Sequence, residues 1–151
     1  MQYLTFRLNG VEYAVDVRIV ETVVERGATM AVPTPVGYMK GVMDLRGRVI
    51  PVIDLRKKFR LPECESAGRE SVIVFAVEDG DRRTLTVGAL VDDVSEVLSI
   101  EEDRVEAVRA GGVALWERYV RGIVRLEERM VVLIEVDGLF SLAEIEALRA
   151  A

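Results

Sequence analysis

The stretch Gly41-Val42-Met43-Asp44-Leu45-Arg46-Gly47-Arg48-Val49-Ile50-Pro51-Val52-Ile53-Asp54-Leu55 sets two extended apolar runs around an arginine–glycine pair. Apolar runs separated by a short glycine-containing turn read as a β-hairpin. The pattern returns 81 residues later as Gly122-Ile123-Val124-Arg125-Leu126-Glu127-Glu128-Arg129-Met130-Val131-Val132-Leu133-Ile134-Glu135-Val136. Gly41/Gly122, Leu45/Leu126, Arg48/Arg129, Ile53/Ile134 and Phe59/Phe140 are identical pairs. Self-similarity of this kind is the mark of one structural unit used twice. The copies differ most at the turn, where Arg46-Gly47 becomes Glu127-Glu128.

A weaker correspondence lies upstream at an offset of 75 residues, pairing Ala14/Ala89, Val15/Leu90, Ile19/Val94, Glu21/Glu96 and Val23/Leu98. Together the two matches lay roughly residues 6–60 onto 75–141, with 61–70 as a polar linker. The whole chain, 1–151, reads as a single domain built from that internal repeat.

Two further hairpins are visible. Leu4, Phe6 and Leu8 alternate with polar neighbours, Asn9-Gly10 follows, and Val11, Tyr13, Val15 and Val17 resume the period of two. Asparagine–glycine suits a two-residue turn because both residues accept positive φ. Residues 71–78 and 82–91 flank Asp79-Gly80 in the same way, and β-branched runs at 19–25 and 94–100 continue as strands. Val36 to Lys40 is read as one helical turn. Pro51 is expected at an edge or bulge, since proline cannot donate to a ladder. Asp54 is placed to cap a short helix running to Phe59. Residues 101–103 start a brief helical turn, Gly111-Gly112 marks a loop, and Ser141 to Glu144 forms a capping box ahead of a C-terminal helix over 142–150. Many short strands with closely spaced turns indicate a mostly-β fold of two related units, barrels or a sandwich.

Composition narrows the function classes. Half the 151 residues are apolar and 30% charged, the balance of a chain with a real core. A net charge of −6 argues against general nucleic-acid binding, which depends on neutralising phosphates. No apolar run approaches a membrane span, and the first residues lack the plan of a secretory signal. The lone Cys64 has no internal partner and fits a reducing compartment. There is no histidine, which removes imidazole acid–base chemistry, a Ser-His-Asp triad and most zinc sites.

The remaining candidates are few. Asp92, Asp93 and Glu96, and the run Glu101-Glu102-Asp103, lack the ligand ladder of a calcium loop and read as solvated acidic surface. No phosphate-cradling glycine motif is present. Trp116 and Tyr119 read as packing residues. No catalytic residue, metal site or cofactor is therefore expected. Arg46 is the exception: it sits at a turn, in solvent reach, and its counterpart in the second copy has the opposite charge. Glu21 is a candidate ion-pair acceptor that would orient the Arg46 guanidinium.

At these residues the chain resembles the CheW family of chemotaxis coupling proteins, from Tyr3 to about Leu148. The stretch from Met39 to Leu55 is similar to the family's Gly-x-x-Asn-Leu-Arg-Gly-x-x-x-Pro-x-x-Asp-Leu signature, with Asp44 where the family usually has asparagine. Tyr13 to Asp16, Val20 to Val23 and Gly88 to Val94 support it. The resemblance implies two small five-stranded SH3-like β-barrel subdomains sharing a core, with a few short helices. It implies a non-enzymatic, cytoplasmic adaptor, recruited to membrane-associated arrays. Its partners would be the cytoplasmic tip of a chemoreceptor and the regulatory domain of the CheA histidine kinase, with neither nucleic acid nor membrane insertion. An adaptor of a chemosensory system for surface motility or development fits the same residues. The receptor-facing groove is expected to include Arg46, Glu21, Ile19, Gly41, Gly88, Val94 and Val97; no motif places the kinase contacts.

Overall fold

The structure is a computed structural model and describes residues 1–25, 29–34, 36–62, 70–78, 83–107, 119–135 and 139. Its strands are β1 (Gln2–Leu8), β2 (Val11–Asp16), β3 (Val20–Glu25), β4 (Met39–Leu45), β5 (Arg48–Asp54), β6 (Ser71–Glu78), β7 (Thr84–Val91), β8 (Asp93–Ser99), β9 (Val105–Glu106), β10 (Val120–Leu126) and β11 (Arg129–Ile134). A short helix, α1 (Leu55–Lys58), follows β5, and 3₁₀ turns occupy Val17–Ile19 and Glu102–Arg104. The fold is mostly β, as expected. The expected C-terminal helix, the Gly111-Gly112 loop, the Asp79-Gly80 turn, Cys64 and Trp116 lie outside the described residues.

The strands form two sheets. One has the order β8-β1-β2-β11-β10-β9, the other β3-β6-β7-β5-β4. The second has the five expected strands; the first adds the two-residue β9 as a sixth. Neither sheet is built from one half of the chain. The β1–β2 hairpin joins β8, β10 and β11, while the later β6–β7 hairpin joins β3, β4 and β5. In each sheet the hairpin also makes a parallel contact, β2 with β11 and β7 with β5.

Alternation then decides what each face buries. Phe6, Leu8 and Val15 of one sheet and Ile53, Ile73, Phe75, Val87 and Val91 of the other meet in the largest apolar cluster. Each of these large side chains contributes about 1.5–3 kcal/mol relative to exposure. The opposite face of each sheet has a smaller cluster of its own. Val52, Val72, Val74 and Leu90 form one; Tyr3, Val124, Val131 and Leu133 form the other. There are thus two private cores and one shared core between them.

Two local readings need correction. Val36 to Lys40 is not a helical turn, because Met39 and Lys40 already belong to β4 and only Gly37 and Tyr38 turn. Pro51 is not at an edge, because β5 lies between β7 and β4, though the register shift of the β4–β5 pair falls close by, between Met39 and Gly41 opposite Ile53 and Val52. Val42 exchanges both backbone hydrogen bonds with Met30, at 2.8 and 2.9 Å, so its polar groups point away from its cross-strand partner Pro51. The proline nitrogen faces β7 instead, where the parallel ladder starts only at Val52. The Asp54 cap is as expected: Oδ1 accepts from the Arg56 amide at 3.0 Å.

Candidate functional site

The β4–β5 turn is two residues long and closed by the pair Leu45 and Arg48. Arg46 and Gly47 both have left-handed backbones, with φ of 52° and 84°. Asn9 and Gly10, at 52° and 81°, repeat that conformation in the first hairpin. A left-handed backbone costs most L residues about 1–2 kcal/mol, and asparagine is one of the few that visit it routinely. Arginine at the first turn position has no such local compensation. Its side chain is exposed, and among the described residues its guanidinium has neither ion pair nor hydrogen bond.

Glu21 does not orient Arg46, as had been expected; its partner is Arg48. The Arg48 Nη2 donates to Glu21 Oε2 at 3.1 Å, its Nη1 donates to the Thr86 hydroxyl at 3.4 Å, and that hydroxyl donates to Glu21 Oε1 at 3.4 Å. This triad reaches from β5 across β7 and β6 to the edge strand β3. A matching one lies on the other sheet, where Arg129 donates to Glu96 at 2.8 Å and to Glu12 at 3.3 Å, from β11 to the edge strand β8 and to β2. Glu21 and Glu96, and Arg48 and Arg129, are the pairs already matched in the two copies of the sequence. That identity is the one trace of the pair in the sequence, since no local pattern joins residues 21 and 48.

The other expected residues fall into two groups. Ile19, at the end of a 3₁₀ turn, and Val94, on β8, are half-buried against the shared core. Val97, also on β8, is an exposed large apolar residue, at 50%. Gly41 and Gly88 are buried. The atoms that need their smallness belong to this chain. A Cβ on Gly41 would lie 2.1 Å from the Met30 carbonyl oxygen, and one on Gly88 would lie 2.7 Å from Val72 Cγ1. Gly122 shows the same demand beneath β9, where a Cβ would lie 2.7 Å from the Glu106 carbonyl oxygen.

Several of the acidic residues are held by the fold. Asp92 accepts from the Asn9 amide at 2.7 Å and lies 3.3 Å from Arg56, Asp93 pairs with Arg7 at 3.2 Å, and Glu102 pairs with Arg121. Arg121 also donates to the Tyr3 hydroxyl at 2.7 Å, beside a cavity of about 500 Å³ that Ile19, Asp16, Arg18 and Glu135 help to line. The hydrogen bond from Arg18 holds the Asp16 carboxyl below its ordinary range. At the second turn, Leu98, Arg104, Leu126, Glu127, Glu128 and Arg129 line an open cavity of about 720 Å³. No helix among the described residues is long and apolar enough to cross a membrane.

Comparison with known proteins gives a consistent picture. The family model described as CheW-like domain matches residues 2–144. A probable chemotaxis protein CheW from Rhizobium etli is 32% identical over 146 residues, covering 97% of this chain and 91% of that protein. The chemotaxis protein CheW of Bacillus subtilis is 33% identical, covering 89% and 83%. The crystal structure of the scaffolding protein TtCheW from Thermoanaerobacter tengcongensis superposes with a TM-score of 0.77 at 27% identity, covering 93% of this chain and 92% of that one.

Proposed function

The chain belongs to the CheW-like family, and from that premise we propose that it is a chemotaxis coupling protein that binds a chemoreceptor tip through the Arg46 turn and the CheA histidine kinase elsewhere on its surface. Its work is that of a scaffold in chemotaxis signalling. It is not an enzyme on this reading, and it reaches the membrane-associated receptor array by binding, as a cytoplasmic protein.

The observation that carries the receptor assignment is Arg46 itself: an exposed, unpaired guanidinium held in a strained turn. A receptor tip is a helical hairpin. It presents apolar side chains at helical spacing with charges beside them. Ile19, Val94 and Val97 supply apolar area, and Arg46 supplies register through charge-assisted hydrogen bonds to a carboxylate. Glu21 shapes the site from the edge of β3, while Gly41 and Gly88 act from beneath it.

Two measurements test this. Mixing the protein with a CheA regulatory domain on a sizing column is expected to shift both; no complex at tens of micromolar counts against the coupling role. Arg46→Glu is expected to weaken binding to a receptor cytoplasmic fragment by at least about tenfold, as for a centrally placed interface arginine. The melting temperature should stay nearly unchanged. A large fall in melting temperature would make Arg46 a structural residue instead.

A further inference from the structure

The equivalent turns of the two repeats carry opposite charge. Arg46-Gly47 is closed by Leu45 and Arg48, Glu127-Glu128 by Leu126 and Arg129. Arg46 and Glu127 both hold a left-handed backbone, with φ of 52° and 48°. That conformation is costly for either side chain. Strain kept in a turn points to a role for the residue that bears it. Arg46, Glu127 and Glu128 are all exposed, and among the described residues none of the three has a hydrogen bond or an ion pair.

Each turn also has exposed apolar surface beside it. Val49, the second residue of β5, is 70% exposed, and Met130, the second residue of β11, is 58% exposed. They are equivalent positions of the repeat, 81 residues apart. Alternation puts each on the strand face that buries Ile53 or Ile134, so each carries the shared core out to its rim. Val131 pairs with Glu12 in the parallel ladder, which sets Met130 beside Val11, a further exposed apolar side chain. The second turn borders the open cavity of about 720 Å³ lined by Leu98 and Leu126. The arginines there are bonded to other groups, Arg129 to Glu96 and Glu12, and Arg104 to the Arg125 carbonyl oxygen at 3.3 Å.

We infer that the Arg46 turn of one molecule docks on the Glu127–Glu128 turn of a second molecule of the same chain. Arg46 donates to the carboxylates, and Val49 is set against the Met130–Val11 patch. The two surfaces differ, so the contact is heterologous. Every pair of molecules leaves one turn of each sign open, and association continues beyond the dimer. The net charge of −6 opposes it, so the contact is weak and forms only at high concentration. A receptor that takes Arg46 takes it from this contact. Receptor binding and self-association then exclude each other at that turn, a consequence that rests on the reading of Arg46 as a receptor contact.

The test is mass by sedimentation equilibrium, from about 0.05 to about 1 mM protein. The wild type should rise above the monomer mass. Arg46→Glu and the double variant Glu127→Lys/Glu128→Lys should each raise the concentration of half-association at least about tenfold, since like charges then face each other across the contact. These changes fall on exposed turn side chains, and thermal melts establish that the variants fold. An equimolar mixture of the two variants pairs each reversed turn with its complement and should associate as the wild type does. Excess receptor cytoplasmic fragment should disperse the wild-type assembly into single molecules bound to fragment. A wild type that stays monomeric throughout, or a mixture no heavier than its components, overturns the inference. A fragment that binds and leaves the assembly intact overturns the exclusion. If the mixture restores association and the fragment does not bind at all, the receptor reading of Arg46 fails and the contact between molecules stands.

Discussion

At the scale of single residues, Arg46 combines an unfavourable backbone with a solvent-exposed charge. A turn with φ of 52° and 84° is better served by asparagine and glycine, as Asn9 and Gly10 show. Arg46→Asn should therefore stabilise the protein by about 1 kcal/mol and raise its melting temperature by about 2–4 °C. The same change should weaken receptor binding. Calorimetric melting and binding titration on one sample check both; a fall in both would place Arg46 in the packing of the turn. Tyr13 makes a second prediction at this scale. Burial raises its phenol above the ordinary 10.0, and burial does the same at Tyr3, partly offset by Arg121. A phenol that is harder to ionise folded than unfolded contributes its stability below pH 10.0, and that contribution is lost as pH rises through the higher folded value. Thermal melts from pH 8 to 11 should show the loss beginning near pH 10 and reduced in Tyr13→Phe. An identical alkaline profile in that variant would assign the loss to other groups.

Among the elements, the two glycine classes separate cleanly. Gly47 needs its backbone angle, since a Cβ there meets nothing within 4 Å. Gly41 needs its size, since the Met30 carbonyl oxygen occupies the place of a side chain. Gly47→Ala should cost about 1 kcal/mol. Gly41→Ala forces the 29–34 segment off β4 and should cost about 3 kcal/mol, in the upper range for overpacking. Chemical denaturation of the two variants checks the order, and equal costs would refute the distinction. Hairpins of this kind were legible in the sequence because their causes are local. Alternating apolar residues and Asn9-Gly10 define β1 and β2, and Asp54 caps α1 through an amide two residues away. The misread pieces had causes elsewhere in the chain. Pro51 is tolerated inside a sheet because the Val42 backbone is turned toward Met30. The Glu21–Arg48 pair forms over 27 residues of separation, across strands whose neighbours no short window reveals.

For the molecule as a whole, the strand exchange decides how it folds. A duplicated sequence suggests two consecutive units, each closing its own sheet. The sheets instead trade hairpins: β1–β2 is completed by β8, β10 and β11, and β6–β7 by β3, β4 and β5. We read this as a duplication whose two units are interlocked, a feature invisible to self-comparison because the copies match position by position whichever sheet they enter. The same exchange accounts for how much of the site was legible. The Arg46 turn and the Glu21 and Glu96 edge strands could be named from their repeats, but their placement on sheets of mixed origin could not. It also gives a strong prediction. A fragment ending at Pro62 holds β1–β2 without β8 and β11, and β3–β5 without β6–β7. One starting at Glu70 holds the reciprocal remainder. Each also exposes its share of the apolar cluster between the sheets, Phe6 and Ile53 in one and Phe75 and Val87 in the other. An isolated hairpin is marginal in water, so neither fragment should fold alone. Mixed at equal concentration, they should regain the circular dichroism and dispersed amide spectrum of the intact chain. Independent folding of either fragment would show that its sheet closes without the exchanged hairpin, and the interlocked architecture would then be dispensable for stability.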